Sequence, residues 1–173
     1  RRIVLAIANF AAKVYLTVIR GTPVIVQLLI LYYVVFASSR NKLLVGALSF
    51  GINSGAYVAE IIRAGIMAVD RGQTEAGRSL GLSGGQTMIH IVIPQAVKNV
   101  LPALGNEFIV LLKETSVAGY IGIADLTKGA QSIGSVTYDY IVPLLCAAFI
   151  YFLMTTALAT VLGKLEGRMR RSD

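Results

Sequence analysis

Long apolar runs separated by short polar segments dominate this chain. The clearest run spans residues 141–163, which comprises 23 residues without a charged side chain. About 20 apolar residues in a helix are enough to cross the hydrocarbon core of a bilayer. Two earlier runs, 24–37 and 43–69, are also apolar enough to span, although the first is short and contains Gln27. These runs predict transmembrane helices.

The remaining segments carry more polar residues. Residues 1–20 are apolar but interrupted by Lys13, which predicts an amphipathic helix on or entering the membrane surface. Residues 97–117 are too polar to face lipid and must face protein or water. Residues 119–139 read as a short helix and turns that do not cross. We therefore expect an all-α polytopic membrane protein with about four transmembrane helices, organised as a single transmembrane domain over residues 1–173.

Composition and charge agree with a membrane location. The chain is 55% hydrophobic and 14% charged, with a mean hydropathy of +0.71, whereas soluble domains carry about 25% charged residues. The net charge of +7 is not a nucleic-acid footprint, because basic residues cluster at the ends of apolar runs. Lys164, Arg168, Arg170 and Arg171 predict a cytoplasmic carboxy terminus. Counting spans back from there places residues 70–95 in the cytoplasm as well.

Residues 70–95 form the longest polar, glycine-punctuated interval. We expect Thr74 to cap a short helix over 75–80 that Gly81 ends. Ser83 and Gln86 have the Ser-x-x-Gln spacing of a capping box, which predicts the start of a second helix. Pro94 should limit the far end of that helix. The interval is therefore predicted to be a compact helix–turn–helix projection.

Two motif matches in this interval carry little weight. Residues 81–85 fit G-x-S-x-G, the pattern of a hydrolase nucleophile, but that motif needs a preceding strand. The single histidine, His90, lies seven residues after Ser83, two helical turns away. A membrane-embedded serine hydrolase using Ser83 and His90 is thus a remote alternative. Residues 82–86, LSGGQ, resemble the signature of ABC ATPase subunits, but the chain has no phosphate-binding G-x-x-x-x-G-K-[ST] loop.

A third match in this interval is more specific. Glu75-Ala76-Gly77, then Gly81, then nine residues before IVIP at 91–94, resembles the E-A-A-x3-G-x9-I-x-L-P loop of bacterial ABC importer permeases. Gly77 replaces the second alanine of that pattern, and isoleucine replaces its leucine. Other segments resemble the polar amino acid permeases of this group, which include basic and glutamine types: RGTP with V-Q at 20–27, SGAYVAEIIRAGI at 54–66, LPAL-x-N at 101–106, LKETS at 112–116 and DLT at 125–127.

The resemblance implies an architecture and a set of partners. It implies a type I importer permease core of five helices, of which the first transmembrane helix is expected to be absent from this chain. It further implies a multi-pass protein of the bacterial cell membrane, two copies of an ABC ATPase subunit, a second and identical permease chain, and an extracytoplasmic amino-acid-binding protein. ATP and Mg would be bound by the ATPase, so we expect no cofactor, no metal and no enzyme activity here. The residues implied to contact the ATPase are Glu75, Ala76, Gly77, Arg78 and Gly81.

Charged residues within the spans suggest further roles. Glu60 and Arg63 are spaced i,i+3 on one helix, which predicts a structural ion pair. Carboxylates within a membrane are candidate functional groups, and Glu114 and Asp125 would suit a cationic side chain. Asn53, Thr115 and Ser116 could bind the amino and carboxylate groups of an amino acid. These residues are the predicted substrate site.

The substrate interpretation stays open at this point. The acidic residues favour arginine, lysine or histidine as cargo, but similar proteins carry glutamine, glutamate or cystine. A membrane scaffold or receptor without transport activity is a further alternative. It predicts no substrate-dependent ATPase activity when the chain is reconstituted with its partner.

Overall fold

The part of the protein that the structure describes consists of helices joined by short turns. The computed structural model describes residues 2–170, with side-chain environments to residue 167, and contains no strand in that range. In chain order, the elements are α1 (Arg2–Arg20), α2 (Val24–Ile30) with a π-helical turn (Leu31–Val35), α3 (Lys42–Met67), α4 (Arg71–Ser79), α5 (Gly84–Thr87) with a π-helical turn (Met88–Val92), α6 (Ile93–Glu114) with a 3-10 turn (Thr115–Ile121), α7 (Leu126–Thr137) and α8 (Ile141–Arg170). The all-α class is confirmed.

Three of the helices between residues 2 and 170 are long and apolar enough to cross a membrane. They are Arg2–Arg20, Lys42–Met67 and the Ile141–Gly167 part of α8, and a shorter apolar helix covers Val24–Val35. The first was expected to be an amphipathic helix on or entering the membrane surface, and no residue of α1 is buried.

The chain divides into two compact units. Unit 1 contains residues up to 57 together with 109–157, and unit 2 contains 58–108 together with the residues from 158 onwards. The core of unit 1 gathers apolar side chains from α2, α3 and the 3-10 turn: Leu28, Phe50, Ala118 and Ile121. Because these residues come from distant parts of the sequence, this core fixes α2 against the segment that follows α6.

The helices of unit 2 pack closely against one another at two glycine residues. A β-carbon at Gly65 of α3 would collide with Val100 Cγ2 of α6, and one at Gly105 would lie 2.8 Å from Leu162 Cδ2 of α8. Helices in membranes associate through such small residues, which let the backbones approach closely. Three long helices are thereby brought together in the unit that also carries residues 70–95. The predicted single transmembrane domain over 1–173 includes residues outside the described range and stays a prediction.

Candidate coupling loop and substrate residues

Helix α4 begins four residues earlier than the sequence pattern predicted. Asp70 is its N-cap, and the Asp70 Oδ1 atom accepts a hydrogen bond of 2.6 Å from the backbone N–H of Gly72. Thr74, the predicted cap, lies inside the helix, so that prediction was wrong. Asp is a stronger N-cap than Thr, and its carboxylate also favours the positive end of the helix dipole.

The end of α4 is a glycine-dependent turn, as predicted. Gly81 has a φ of +85°, a left-handed conformation that glycine adopts without steric cost. The N–H of Leu82 donates to the Gly77 carbonyl at 3.1 Å, and the N–H of Gly81 donates to the Arg78 carbonyl at 3.0 Å. This is the Schellman pattern of hydrogen bonds. It reverses the chain within two residues of the helix end.

The predicted capping box is confirmed at the start of α5. Ser83 Oγ accepts a hydrogen bond from the N–H of Gln86 at 3.3 Å, and Gln86 Oε1 accepts one from the N–H of Ser83 at 2.9 Å. The Ser83 hydroxyl is thus occupied as a cap. The segment before it is a helix and a turn rather than a strand, so the hydrolase alternative fails. His90 lies in the π-helical turn Met88–Val92.

Pro94 does not end the second helix, contrary to the prediction. Helix α6 begins at Ile93, so Pro94 occupies its first turn. The helix is continuous at this point, because α6 follows the π-helical turn directly and the Ile93 N–H donates to the Met88 carbonyl. Such a turn departs from the regular i,i+4 hydrogen bonding, so a residue without an N–H is tolerated there. The side chain of Gln95 in the same turn donates to Gln73 Oε1 of α4 at 3.3 Å. The two ends of the projection are therefore tied together.

Four residues of α4 and its C-cap form an outward surface, the coupling face. They are Glu75, Ala76, Arg78 and Leu80, all of them exposed. Gly77 is buried and points in the opposite direction, toward Thr87 and Ile91. Of the predicted coupling residues, Gly77 and Gly81 thus shape the loop, while Glu75, Ala76 and Arg78 are available to a partner.

Sequence analysis missed Leu80 as a member of this surface. Leu80 is 82% exposed at the tip of a projection that is otherwise polar. A leucine that ends a short polar helix just before a glycine cap has no core of its own to enter. This position alone could have identified Leu80 from the sequence, because an apolar side chain surrounded by polar groups is typical of protein interfaces.

The predicted ion pair is present in unit 2. Arg63 donates from Nε and Nη2 to the Glu60 carboxylate, one turn away on α3. Arg63 Nη1 also lies 2.9 Å from the Met67 sulfur. Both charges lie on one face of α3, and each neutralises the other.

The predicted substrate residues all lie in unit 1, but they occupy different environments. Asp125 is the N-cap of α7. One of its carboxylate oxygens accepts from the Lys128 N–H at 2.6 Å, and the other accepts from the Gly119 N–H at 2.8 Å. Asp125 therefore joins the 3-10 turn to α7, and each of its oxygens accepts one backbone hydrogen bond.

Residues 114–116 follow the end of α6. Glu114 is the last residue of that helix and is half-buried, and the Thr115 hydroxyl donates to the Leu112 carbonyl at 2.7 Å. Ser116 lines a polar cavity of about 240 Å³. Ser116 and Thr127 also line a second cavity of about 320 Å³, which Lys113 and Tyr151 border. The cations Lys113 and Lys128, rather than carboxylates, border these two cavities.

Asn53 does not line either of these cavities. Its side chain is 2% exposed, and its Nδ2 donates to Gln27 Oε1 at 2.9 Å. Gln27 in turn donates to the carbonyls of Ile19 and Thr22 and to the Thr22 hydroxyl. Gln27 was visible in the sequence as the one polar residue of the 24–37 run, but its partners were not.

Comparison with known proteins agrees with these features. Residues 5–171 match the family described as "Binding-protein-dependent transport system inner membrane component". The "Arginine transport system permease protein ArtQ" of Bacillus subtilis (strain 168) is 38% identical over 165 residues, covering 94% of this chain and 75% of the relative. The "Glutamine transport system permease protein GlnP" of Escherichia coli (strain K12) is 37% identical over 168 residues, covering 95% and 77%.

A solved structure is similar to most of the chain. It is titled "Crystal structure of an amino acid ABC transporter with histidines" and is 52% identical, with a TM-score of 0.87 over 92% of this chain and 75% of that one. The similarity thus extends to the sequence as well as to the fold. The helical spans and the loop that turns at Gly81 agree with it. The chain belongs to the binding-protein-dependent transport system inner membrane component family and is a permease subunit of an amino acid ABC transporter, a transport component rather than an enzyme.

Proposed function

We propose that this chain carries a cationic amino acid of the arginine, lysine or histidine class into the cell. A separate ATPase subunit drives it through the coupling face. The observation that carries the coupling part of this proposal is the construction of α4. A nine-residue polar helix is capped at both ends and projects three exposed polar or apolar side chains, Glu75, Arg78 and Leu80, with no core of their own. Such order in a connecting segment favours a protein partner.

The proposed cycle is alternating access. Two ATPase subunits bind ATP and Mg, close, and draw together the coupling loops of two identical permease chains. The helix bundles rotate and open the pathway toward the extracytoplasmic binding protein, and hydrolysis resets it. In this scheme residues 70–95 and the carboxy terminus lie in the cytoplasm, as the charge distribution predicts. This chain binds, orients and releases the amino acid without making or breaking a covalent bond.

A charge reversal tests the coupling role. Glu75→Lys is expected to lower ATP-driven uptake by about tenfold or more, since an interface charge of this kind contributes about 1.4 kcal/mol or more. Membrane insertion should remain normal. Arg40→Glu is the control, because Arg40 is exposed in unit 1 and outside the loop. Native uptake by the Glu75→Lys transporter would rule out docking through this residue.

The cargo proposal rests on similarity and on carboxylates. The structure that is 52% identical was solved with histidines, and ArtQ is named for arginine. Within this chain, Glu114 is half-buried at the end of α6. Glutamine is the second candidate, because several relatives are named for it and because Asp125 is engaged by backbone N–H groups rather than left for a cation.

Competition separates the two candidates. The chain is reconstituted with its ATPase and binding protein, and uptake of labelled arginine and, separately, of labelled glutamine is measured with and without unlabelled competitors. We expect arginine, lysine and histidine to compete, and glutamine, glutamate and cystine to fail. If labelled glutamine is taken up and labelled arginine is not, the glutamine assignment replaces this one.

A further inference from the structure

Gly77 is the position where the coupling helix departs from the E-A-A pattern, and it is also the most confined residue of α4. A β-carbon at Gly77 would lie 2.8 Å from Ile91 Cδ1, 2.9 Å from Thr87 Cγ2 and 3.2 Å from Thr87 Oγ1. Real β-carbons essentially never approach another heavy atom closer than 3.0 Å. An alanine at this position therefore requires a neighbour, or α4 itself, to move.

Of the two neighbours, Thr87 is the one that cannot yield. It is 1% exposed, and its hydroxyl donates to the Ser83 carbonyl at 3.0 Å. Because a β-branched side chain in a helix is restricted at χ1, turning the methyl group away from Gly77 would break that hydrogen bond. Ile91 meets Gly77 with the end of a flexible side chain, which can rotate more easily.

We propose that Gly77 and Thr87 are a complementary pair that sets how α4 lies on the segment from α5 to the following π-helical turn. The Thr87 methyl fills the space next to a missing side chain at position 77. Thr87 is thereby a positioning residue for coupling, although it is buried and touches no partner. The inference rests on the proposed function of α4 as the docking helix.

The position of Gly77 controls the rest of the coupling face. Glu75, Ala76 and Arg78 lie within two residues of it along α4. The Gly77 carbonyl also accepts the Leu82 N–H that closes the Gly81 turn. The start of α4 is held by the contact between Gln73 and Gln95. A shift at residue 77 therefore tilts the helix about its fixed start and moves both Arg78 and Leu80.

The test is a rescue experiment in the assembled transporter. Gly77→Ala is expected to lower the maximal rate of ATP-driven uptake at least about fivefold, the lower end of the usual effect of overpacking. The KM for the amino acid should not change, because the pathway is untouched. Adding Thr87→Ser should restore the rate, since serine keeps the hydroxyl and removes the methyl group. Adding Thr87→Val instead should not, because valine keeps both branches.

Gly85→Ala is the control for the loop as a whole. Gly85 lies on α5 of the same projection, and a β-carbon there would meet nothing within 4 Å. We expect native transport from this variant. If Gly77→Ala fails to accumulate in the membrane, the amount of inserted chain is measured instead of the transport rate. Adding Thr87→Ser must then restore that amount to the native level, and adding Thr87→Val must leave it low.

Two outcomes would overturn the pairing. The first is that Gly77→Ala transports at the native rate. The second is that adding Thr87→Ser and adding Thr87→Val restore the rate of Gly77→Ala equally well. Glu75→Lys, measured in parallel, separates this failure from failure of the docking role. If Glu75→Lys uncouples the transporter while Gly77→Ala does not, the pair is unimportant and docking stands. If Glu75→Lys also transports normally, docking through Glu75 is wrong as well.

Discussion

Asn53 of α3 and Gln27 of α2 form a buried amide pair, with Asn53 Nδ2 donating to Gln27 Oε1 at 2.9 Å. The Gln27 Nε2 atom donates at 2.8 Å to the Ile19 carbonyl, which belongs to the last turn of α1. Carbonyls in the last turn of a helix have no partner within it. One glutamine thereby pairs with the end of α1, the turn at Thr22 and the Nδ2 atom of Asn53. Three helices of unit 1 depend on this residue.

Replacing Gln27 by leucine should therefore destabilise unit 1 strongly. Gln27→Leu leaves the buried Asn53 amide without its acceptor and removes the donor for the Ile19 carbonyl. Each buried polar group left unsatisfied costs about 1–3 kcal/mol. Thermal unfolding of the purified transporter is the measurement, and Gln131→Leu at an exposed position of α7 is the control. Equal unfolding temperatures for the two variants would contradict the network.

Two substitutions of Asp125 show whether its carboxylate acts mainly as an N-cap of α7 or binds the substrate. Asparagine keeps a side-chain oxygen for the Lys128 N–H but turns an NH2 group toward the Gly119 N–H, so Asp125→Asn should cost about 1 kcal/mol. Asp125→Ala loses the N-cap as well as the acceptor for Gly119 and should cost about 2 kcal/mol. Unfolding temperature and arginine uptake are measured together. If both variants abolish uptake equally while Asp125→Asn stays stable, the carboxylate acts on the substrate and not mainly as a cap.

Local hydrogen bonding explains which parts of the coupling loop could be predicted from the sequence. The capping box at Ser83 and the turn at Gly81 involve residues three to five apart, so their spacing alone identified them. Thr74 and Pro94 were misplaced for a related reason. Both residue types are compatible with more than one position near a helix start. The pattern could not show that Asp70 caps α4 or that α6 begins before Pro94.

The substrate residues were less predictable because their partners are distant in sequence. Asn53 and Gln27 are 26 residues apart, and no periodicity relates them. Asp125 looked like a free membrane carboxylate, yet the Gly119 N–H that occupies one of its oxygens becomes available only through the 3-10 turn. The charges that suggested a cationic cargo therefore did not identify which carboxylates are available to it.

The left-handed conformation at Gly81 gives a third prediction. Gly81→Ala should destabilise the loop by about 1 kcal/mol, because a β-carbon is strained at positive φ. Gly129→Ala is the opposite control: Gly129 lies within α7 in open space, so alanine there should stabilise by roughly 0.5–1 kcal/mol. Hydrogen exchange of residues 70–95 and unfolding temperature report the two effects. If Gly81→Ala changes neither the hydrogen exchange of residues 70–95 nor the unfolding temperature, the turn does not depend on glycine at this position.

Leu80 gives the last prediction, which concerns the apolar part of the coupling face. Burying a leucine side chain against a partner contributes about 1.5–3 kcal/mol, so Leu80→Ser should weaken binding of the ATPase by about tenfold or more. The dissociation constant is measured with the permease in lipid nanodiscs. Val136→Ser is the control, since Val136 is 80% exposed on α7 and outside the loop. The stability of both variants should match the native chain, because neither side chain is packed in a core. If the two serine variants bind the ATPase equally well, Leu80 does not anchor the docked helix, and the contact must rest on the charges of Glu75 and Arg78 alone.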